Sequence, residues 1–304
     1  MREKALIDDA LIDRRQLLKR AGTLTAVATG VPLLAACGSS SSSGSKDPLA
    51  AAKKAGTINV GFANEAPYDF ATASGDLTGE APTVARYIMK QLGVPSITGV
   101  LTEFASLIPG LEAGRFDMVA AGMFITPERC GQILFSDPDY AAPEALAVPT
   151  GNPKHLETLA DVAKANATLG VLSGAVEGGL AKSAGVKNIQ EFPDQTSMIE
   201  GMTAGRIDAI CLTSISLRYA IQTSGHGKVE LATPFFPVMN GKKEIDGGGY
   251  GFRKDDTSLR DAFNGVLHKM QNDGTLLKLV QPFGFGAPEI DAAKGLTATK
   301  LCSA

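Results

Sequence analysis

Tryptophan is missing altogether, aromatic residues make up 6% of the chain, and histidine occurs only three times in 304 residues. His155, His226 and His268 stand far apart, without the short spacings by which zinc ligands reach one ion, so no metal site is expected. Gly-x-Ser-x-Gly is absent and no cysteine is paired with a histidine, which removes the usual grounds for nucleophilic catalysis. Four cysteines are too few to staple a chain of this length, so a disulfide scaffold is excluded. Basic excess is missing too. With 29 basic against 32 acidic residues and a net charge of −3, the chain cannot neutralise a phosphate backbone, and no nucleic-acid partner is expected. What remains is 44% hydrophobic and 20% charged, enough for a substantial core and, by length, for two domains.

The front of the chain differs from the rest. The basic cluster Arg14-Arg15-Gln16-Leu17-Leu18-Lys19-Arg20 precedes an apolar run of small residues from Ala21 to Ala36. That order is the signature of a secretory signal. The run is broken by Thr23, Thr25, Thr29, Gly30 and Pro32, and is shorter than the ~20 apolar residues of a membrane span. The paired arginines resemble a twin-arginine export signal. Leu34-Ala35-Ala36-Cys37 resembles the bacterial lipobox, which implies acylation of Cys37 and a membrane contact through that lipid. Residues 1–36 are therefore expected to be the signal, and 37–55 the lipidated cysteine and a flexible Ser-rich tether. Residues 1–36 hold six of the 29 basic and four of the 32 acidic residues, so residues 37–304 carry 23 against 28, a net charge of −5.

The body contains a repeat. Ser106-Leu-Ile-Pro-Gly-Leu-Glu-Ala-Gly-Arg-Phe-Asp-Met-Val119 returns 91 residues later as Ser197-Met-Ile-Glu-Gly-Met-Thr-Ala-Gly-Arg-Ile-Asp-Ala-Ile210, with seven of 14 positions identical. Each copy reads as a short helix stopped near a glycine (Gly114, Gly205), a turn, and a buried strand of the kind found in parallel sheets. Pro109 suits the first turn of its helix. Thr57-Ile-Asn-Val-Gly-Phe and Ala167-Thr-Leu-Gly-Val-Leu read as the opening strands of two lobes. Pro82 to Leu92 and a last helix, Leu259 to Asn272, show helical apolar spacing. The pattern predicts an α/β chain of two related lobes, 56–146 with 250–304 and 147–249, joined by two crossings near 146 and 249 that form a hinge and a cleft. Cys211 falls in a predicted core strand. Gly247-Gly-Gly-Tyr-Gly251 lacks the Lys-Ser/Thr of a phosphate loop and is expected to be a flexible return to the hinge. No cofactor is expected.

The segments 104–117, Gly122-Met-Phe-Ile-Thr-Pro-Glu-Arg129 and Phe135-Ser-Asp-Pro138 resemble the polar amino-acid family of ABC-importer solute-binding proteins, over about residues 55–290. The resemblance implies a type II two-lobed periplasmic-binding-protein fold, a monomer that closes on one small solute and presents it to a membrane permease. It also implies that Arg129 clamps the ligand carboxylate, for which a planar guanidinium is well suited. Members that bind α-amino acids carry an aspartate five residues after the Gly-Arg-x-Asp aspartate. Here that position is Thr213, which cannot pair with an ammonium. The family's pocket positions in the first lobe hold Tyr68, Phe104 and Phe124, rings suited to a diffuse cation, with Gly122 in the same motif and Glu65 as an acceptor of ligand N–H groups. In the second lobe the turn Gly174-Ala175-Val176-Glu177 is expected to offer backbone N–H groups at a helix start, although Ala175 lacks the family's hydroxyl. Arginine for a carboxylate and rings for a diffuse cation resemble the ectoine/hydroxyectoine-binding branch, as do Pro-Glu-Arg-Cys130, Pro282-Phe-Gly-Phe285 and Leu301-Cys302. An exported location would permit a Cys130–Cys302 disulfide. A receptor for another amino acid or a betaine stays open as an alternative, as does a cyclohexadienyl-dehydratase-like enzyme with Glu65 as its acid.

Overall fold

The computed structural model describes residues 47–303 apart from 225, 226, 240, 241, 244 and 246. The expected signal, Cys37, His226 and all of the tether before residue 47 lie outside the described residues.

The first described element is helix α1 (Pro48–Ala55), capped by the Asp47 carboxylate, which leads into strand β1 (Thr57–Phe62). A small hairpin, β2 (Phe70–Ala71) and β3 (Leu77–Thr78), leads to α2 (Glu80–Gln91) and β4 (Ser96–Leu101). Next come α3 (Leu107–Glu112), β5 (Met118–Phe124), α4 (Pro127–Gln132), β6 (Leu134–Phe135) and β7 (Tyr140–Ala141). The second lobe runs through β8 (Glu144–Pro149), α5 (Leu159–Lys164), β9 (Thr168–Leu172), α6 (Glu177–Ser183), β10 (Asn188–Phe192), α7 (Gln195–Thr203), β11 (Ala209–Thr213), α8 (Ser214–Ser224) and β12 (Val229–Leu231). After a hairpin of β13 (Val238–Met239) and β14 (Lys242–Lys243), β15 (Gly247–Phe252) re-enters the first sheet. The last elements are α9 (Thr257–Asp273), α10 (Thr275–Val280), α11 (Ala287–Ala293) and α12 (Ala298–Leu301), so the expected last helix is succeeded by three more.

The two sheets share one plan. The first has the order β4-β1-β5-β15-β6, with β7 pairing β15, and the second β10-β9-β11-β8-β12. The repeat supplies the same place in each: α3 and β5 in one lobe, α7 and β11 in the other. Its aspartate does the same work twice. The Asp117 carboxylate accepts from the Asn59 N–H at 3.1 Å, and that of Asp208 from the Thr168 N–H at 2.8 Å, so each copy ties the start of its strand to the opening strand of its own lobe. The repeated strands are buried on both faces as expected, but they are not flanked by parallel neighbours alone. β5 is parallel to β1 and antiparallel to β15, and β11 is parallel to β9 and antiparallel to β8, because the crossing strands enter from the opposite direction.

The crossings are displaced from their expected places. Glu144 pairs with Thr213 and Ala147 with Ile210, which puts all of β8 in the second sheet and the outward crossing at residues 142–143. The return ends at Gly247, where β15 pairs with β7. The glycine-rich run is therefore no flexible return. All six residues of β15 are buried, and a Cβ on Gly248 would lie 2.2 Å from the Tyr140 ring, so a side chain is excluded by packing. Leu146, Leu169, Val171, Ala209 and Cys211 fill the second lobe's core, and Ile58, Val84, Ile88, Phe252 and Phe263 the first. Cys130 of α4 and Cys302, just after α12, form a disulfide with Cα atoms 5.6 Å apart, which ties the C-terminal segment to the first lobe.

Candidate functional site

The loop after β1 carries Glu65 and Tyr68 into the cleft. Its turn is held by buried Asp69, whose carboxylate accepts from the Ala63 N–H at 2.6 Å. The Tyr68 ring packs beside Tyr140 and Phe285, with centroids 5.1 and 5.5 Å away. It lies so close to β5 that a Cβ on Gly122 would stand 2.5 Å from it, and Gly122 also has φ +57°, so this position suits glycine on two counts. Phe124 ends β5, and Phe104 sits in the tight turn before α3. Thr126 caps α4, its hydroxyl accepting from the Arg129 N–H at 3.3 Å, and Pro127 begins the helix; Arg129 is thus fixed in the first turn.

These six residues line a cavity of about 310 Å³, partly continuous with solvent, with Ala175, Val176, Glu177, Leu212 and Thr213 opposite them. Arg129 is 8% exposed. Its guanidinium lies 5.4 Å from the Phe104 ring centroid and donates to the Phe124 carbonyl at 2.8 Å and, across the cleft, to the Gly174 carbonyl at 3.0 Å. Glu65 accepts a hydrogen bond from Ser216 of the other lobe. Burial raises its carboxyl from 4.5 to about 6, against the opposing pull of the Ser216 hydroxyl and the Arg129 charge. The Tyr68 hydroxyl donates to Thr213 Oγ1 at 2.9 Å, a neutral bond between the lobes.

Eight of the nine ligand-contact positions expected from the sequence line this cavity: Glu65, Tyr68, Phe104, Gly122, Phe124, Arg129, Val176 and Thr213. Gly174 does not. Its carbonyl faces Arg129 instead, its φ is +77°, and a Cβ there would fall 2.8 Å from Ala105 Cα of the first lobe, so it permits the approach of the two lobes. The sequence reading placed Glu177 in the Gly174–Glu177 turn without giving its side chain a role, and missed Leu212. Leu212 was accessible as the neighbour of Thr213 in a buried strand; Glu177, the first residue of α6 and buried, resembles in sequence any solvent-facing acid in a first helical turn. Among the described residues no group of His, Cys, Asp or Glu is arranged to hold a metal ion, and no helix is long and apolar enough to cross a membrane.

Residues 58–287 match the family model for bacterial extracellular solute-binding proteins, family 3. The chain belongs to that family. It is 35% identical over 256 residues to a probable amino-acid ABC transporter periplasmic-binding protein of Sinorhizobium fredii, covering 83% of this chain and 84% of that protein. With the lysine/arginine/ornithine-binding periplasmic protein of Escherichia coli it shares 30% identity, over 75% and 87% of the two chains. The crystal structure of EhuB in complex with hydroxyectoine superposes with a TM-score of 0.78 at 36% identity, covering 85% of this chain and 98% of that one. The ancestral amino-acid-binding protein AncCDT-1, a precursor of cyclohexadienyl dehydratase, gives 0.68 at 28% identity, over 77% and 98%. This family 3 member is accordingly a two-lobed, exported solute-binding protein of an amino-acid-type ABC transporter, and its relatives serve transport rather than catalysis.

Proposed function

We propose that the cleft binds a small zwitterion whose cation is delocalised, of the ectoine or hydroxyectoine type, and delivers it to an ABC permease. The observation that carries this reading is the pairing of Arg129 and Glu65 in one cavity walled by Tyr68, Phe104 and Phe124. Arg129 supplies a fork of donors for a carboxylate. The rings and Glu65 suit a flat amidinium, each ring contributing ~0.5–2 kcal/mol of cation–π attraction. A primary ammonium is less well served, because Thr213 offers a hydroxyl already engaged by Tyr68. The likeness to EhuB supports the same reading.

Export by the twin-arginine-like signal, acylation of Cys37 and action as a monomer complete the proposal: a receptor tethered to the outer face of the cytoplasmic membrane. Calorimetric titration of the purified protein with ectoine, hydroxyectoine, glycine betaine and a set of amino acids tests the ligand. Binding of ectoines in preference to amino acids supports the proposal. Preference for an ordinary α-amino acid overturns it. Radiolabelled palmitate incorporation that is lost in Cys37→Ser tests the anchor.

A further inference from the structure

Several bonds join the lobes outside the cavity wall, and two residues that do not line the cavity make them. Gln195, the first residue of α7, donates from its side-chain amide to the Ala66 carbonyl of the first lobe at 3.0 Å and to the Ser216 carbonyl of its own lobe at 3.2 Å. Ser216, fully buried in α8, donates to the Glu65 carboxylate. Further out, the Phe70 ring of the first lobe stands 5.9 Å from the Tyr219 ring of the second. Ala66 and Phe70 bracket the loop that carries Glu65 and Tyr68. The two hydrogen bonds and the ring pair therefore grip the ligand-binding loop from the opposite lobe without occupying the space where a solute would lie.

We infer that Gln195 and Ser216 form an interlobe latch that sustains a closed population of this protein before any solute binds, and that Gln195 is a positioning residue for closure. The inference rests on the reading of the cleft as a closing solute site, but not on the solute's identity. A two-state protein binds its ligand with an apparent affinity scaled by the fraction in the competent state. A latch that raises the closed fraction therefore raises affinity and slows release without touching the ligand. One neutral hydrogen bond of Gln195 crosses between the lobes, to Ala66, and a contribution of ~0.5–1.5 kcal/mol places the effect of losing it at about two- to tenfold in the closed-to-open ratio.

The test is single-molecule fluorescence transfer on the ligand-free full-length protein, labelled through Glu112→Cys in the first lobe and Lys187→Cys in the second, both exposed. The expected result is a measurable closed population that falls about two- to tenfold in Gln195→Ala. It should fall again in Gln195→Glu above neutral pH, where a carboxylate would face the Ala66 carbonyl and Glu65. Ectoine release from Gln195→Ala should accelerate by a similar factor. Absence of any closed population in the parent protein overturns the latch. So does an unchanged distance distribution in both variants, including the case where only the melting midpoint drops, which would make Gln195 a packing residue. The distance distribution needs no ligand, so failure of ectoine to bind would overturn the proposed solute and leave the latch judged on its own result.

Discussion

Acidification gives the sharpest test of the site, because one buried carboxyl decides its response. Glu65 titrates at about 6 rather than 4.5 in the protein, chiefly because burial disfavours its charge. Its folded value is raised, so the stability it contributes is fully present below about 4.5 and is lost as pH rises through about 6. The shift corresponds to about 2 kcal/mol at neutral pH in the protein without solute. A cationic solute reverses that balance by pairing with the carboxylate. Binding should therefore be unaffected by pH above about 7 and weaken below 6. At pH 5 roughly one molecule in eleven would carry the ionised form, which sets a loss of up to about tenfold in affinity for ectoine. Neither His155 nor His268, the two histidines among the described residues, lines the cavity. Calorimetry from pH 7.5 to 5 in two buffers of different ionisation heat reads both the affinity and the proton released on binding. Glu65→Gln should bind weakly and show a flat profile. A flat profile in the parent protein, or the same slope in Glu65→Gln, refutes the role given to Glu65.

Replacing Arg129 by alanine should raise the ectoine dissociation constant by about 30-fold or more, since truncating one partner of a buried charge pair costs ~2–5 kcal/mol; unchanged affinity by calorimetry would remove Arg129 from the site. Thr213→Asp places an anion in the cavity wall beside Tyr68, so titration should show affinity gained for a basic or neutral α-amino acid and lost for ectoine. Reduction of the Cys130–Cys302 bridge frees a loop spanning 172 residues and should lower the melting midpoint on the order of 10 °C, read by calorimetric scans with and without reductant.

Much of this arrangement was legible in the sequence because the repeat carries a physical role in each copy. Gly-Arg-x-Asp brings its aspartate to the opening strand of its lobe, and that contact, made once by Asp117 and once by Asp208, is what makes two sheets of the same order. The first lobe's share of the cavity was legible for a similar reason. Thr126 is a helix-capping residue type and Pro127 suits the first helical position, and together they set Arg129 in the first turn of α4. The glycine-rich strand was misread because local sequence shows only what glycine permits. That Gly248 lies against the Tyr140 ring is a property of two segments more than a hundred residues apart, and burial, not flexibility, is the reason for the glycines. The side-chain place of Glu177 is hidden by the same logic, since only the facing lobe turns a helix-start acid into a cavity wall.

The acids left in the first lobe bear on why the cleft can hold its charge so near a carboxylate-rich core. Asp69, Glu80 and Asp139 are all buried behind the Tyr68 loop, and each is pushed above the ordinary carboxylate range by burial. Burial and the neighbouring Asp139 push the Glu80 carboxyl well above its ordinary value, and Asp139 also accepts from the Tyr250 hydroxyl at 2.9 Å; Glu80 begins α2, Asp139 immediately precedes β7, and Tyr250 lies in β15. The group bonds α2 to the part of the first lobe beside both crossings, and burial opposes the build-up of charge on it. In the cleft, Glu65 and Glu177 are the carboxyls and Arg129 the cation of the cavity wall, and the proposed zwitterion would set its carboxylate against Arg129 and its cation against Glu65.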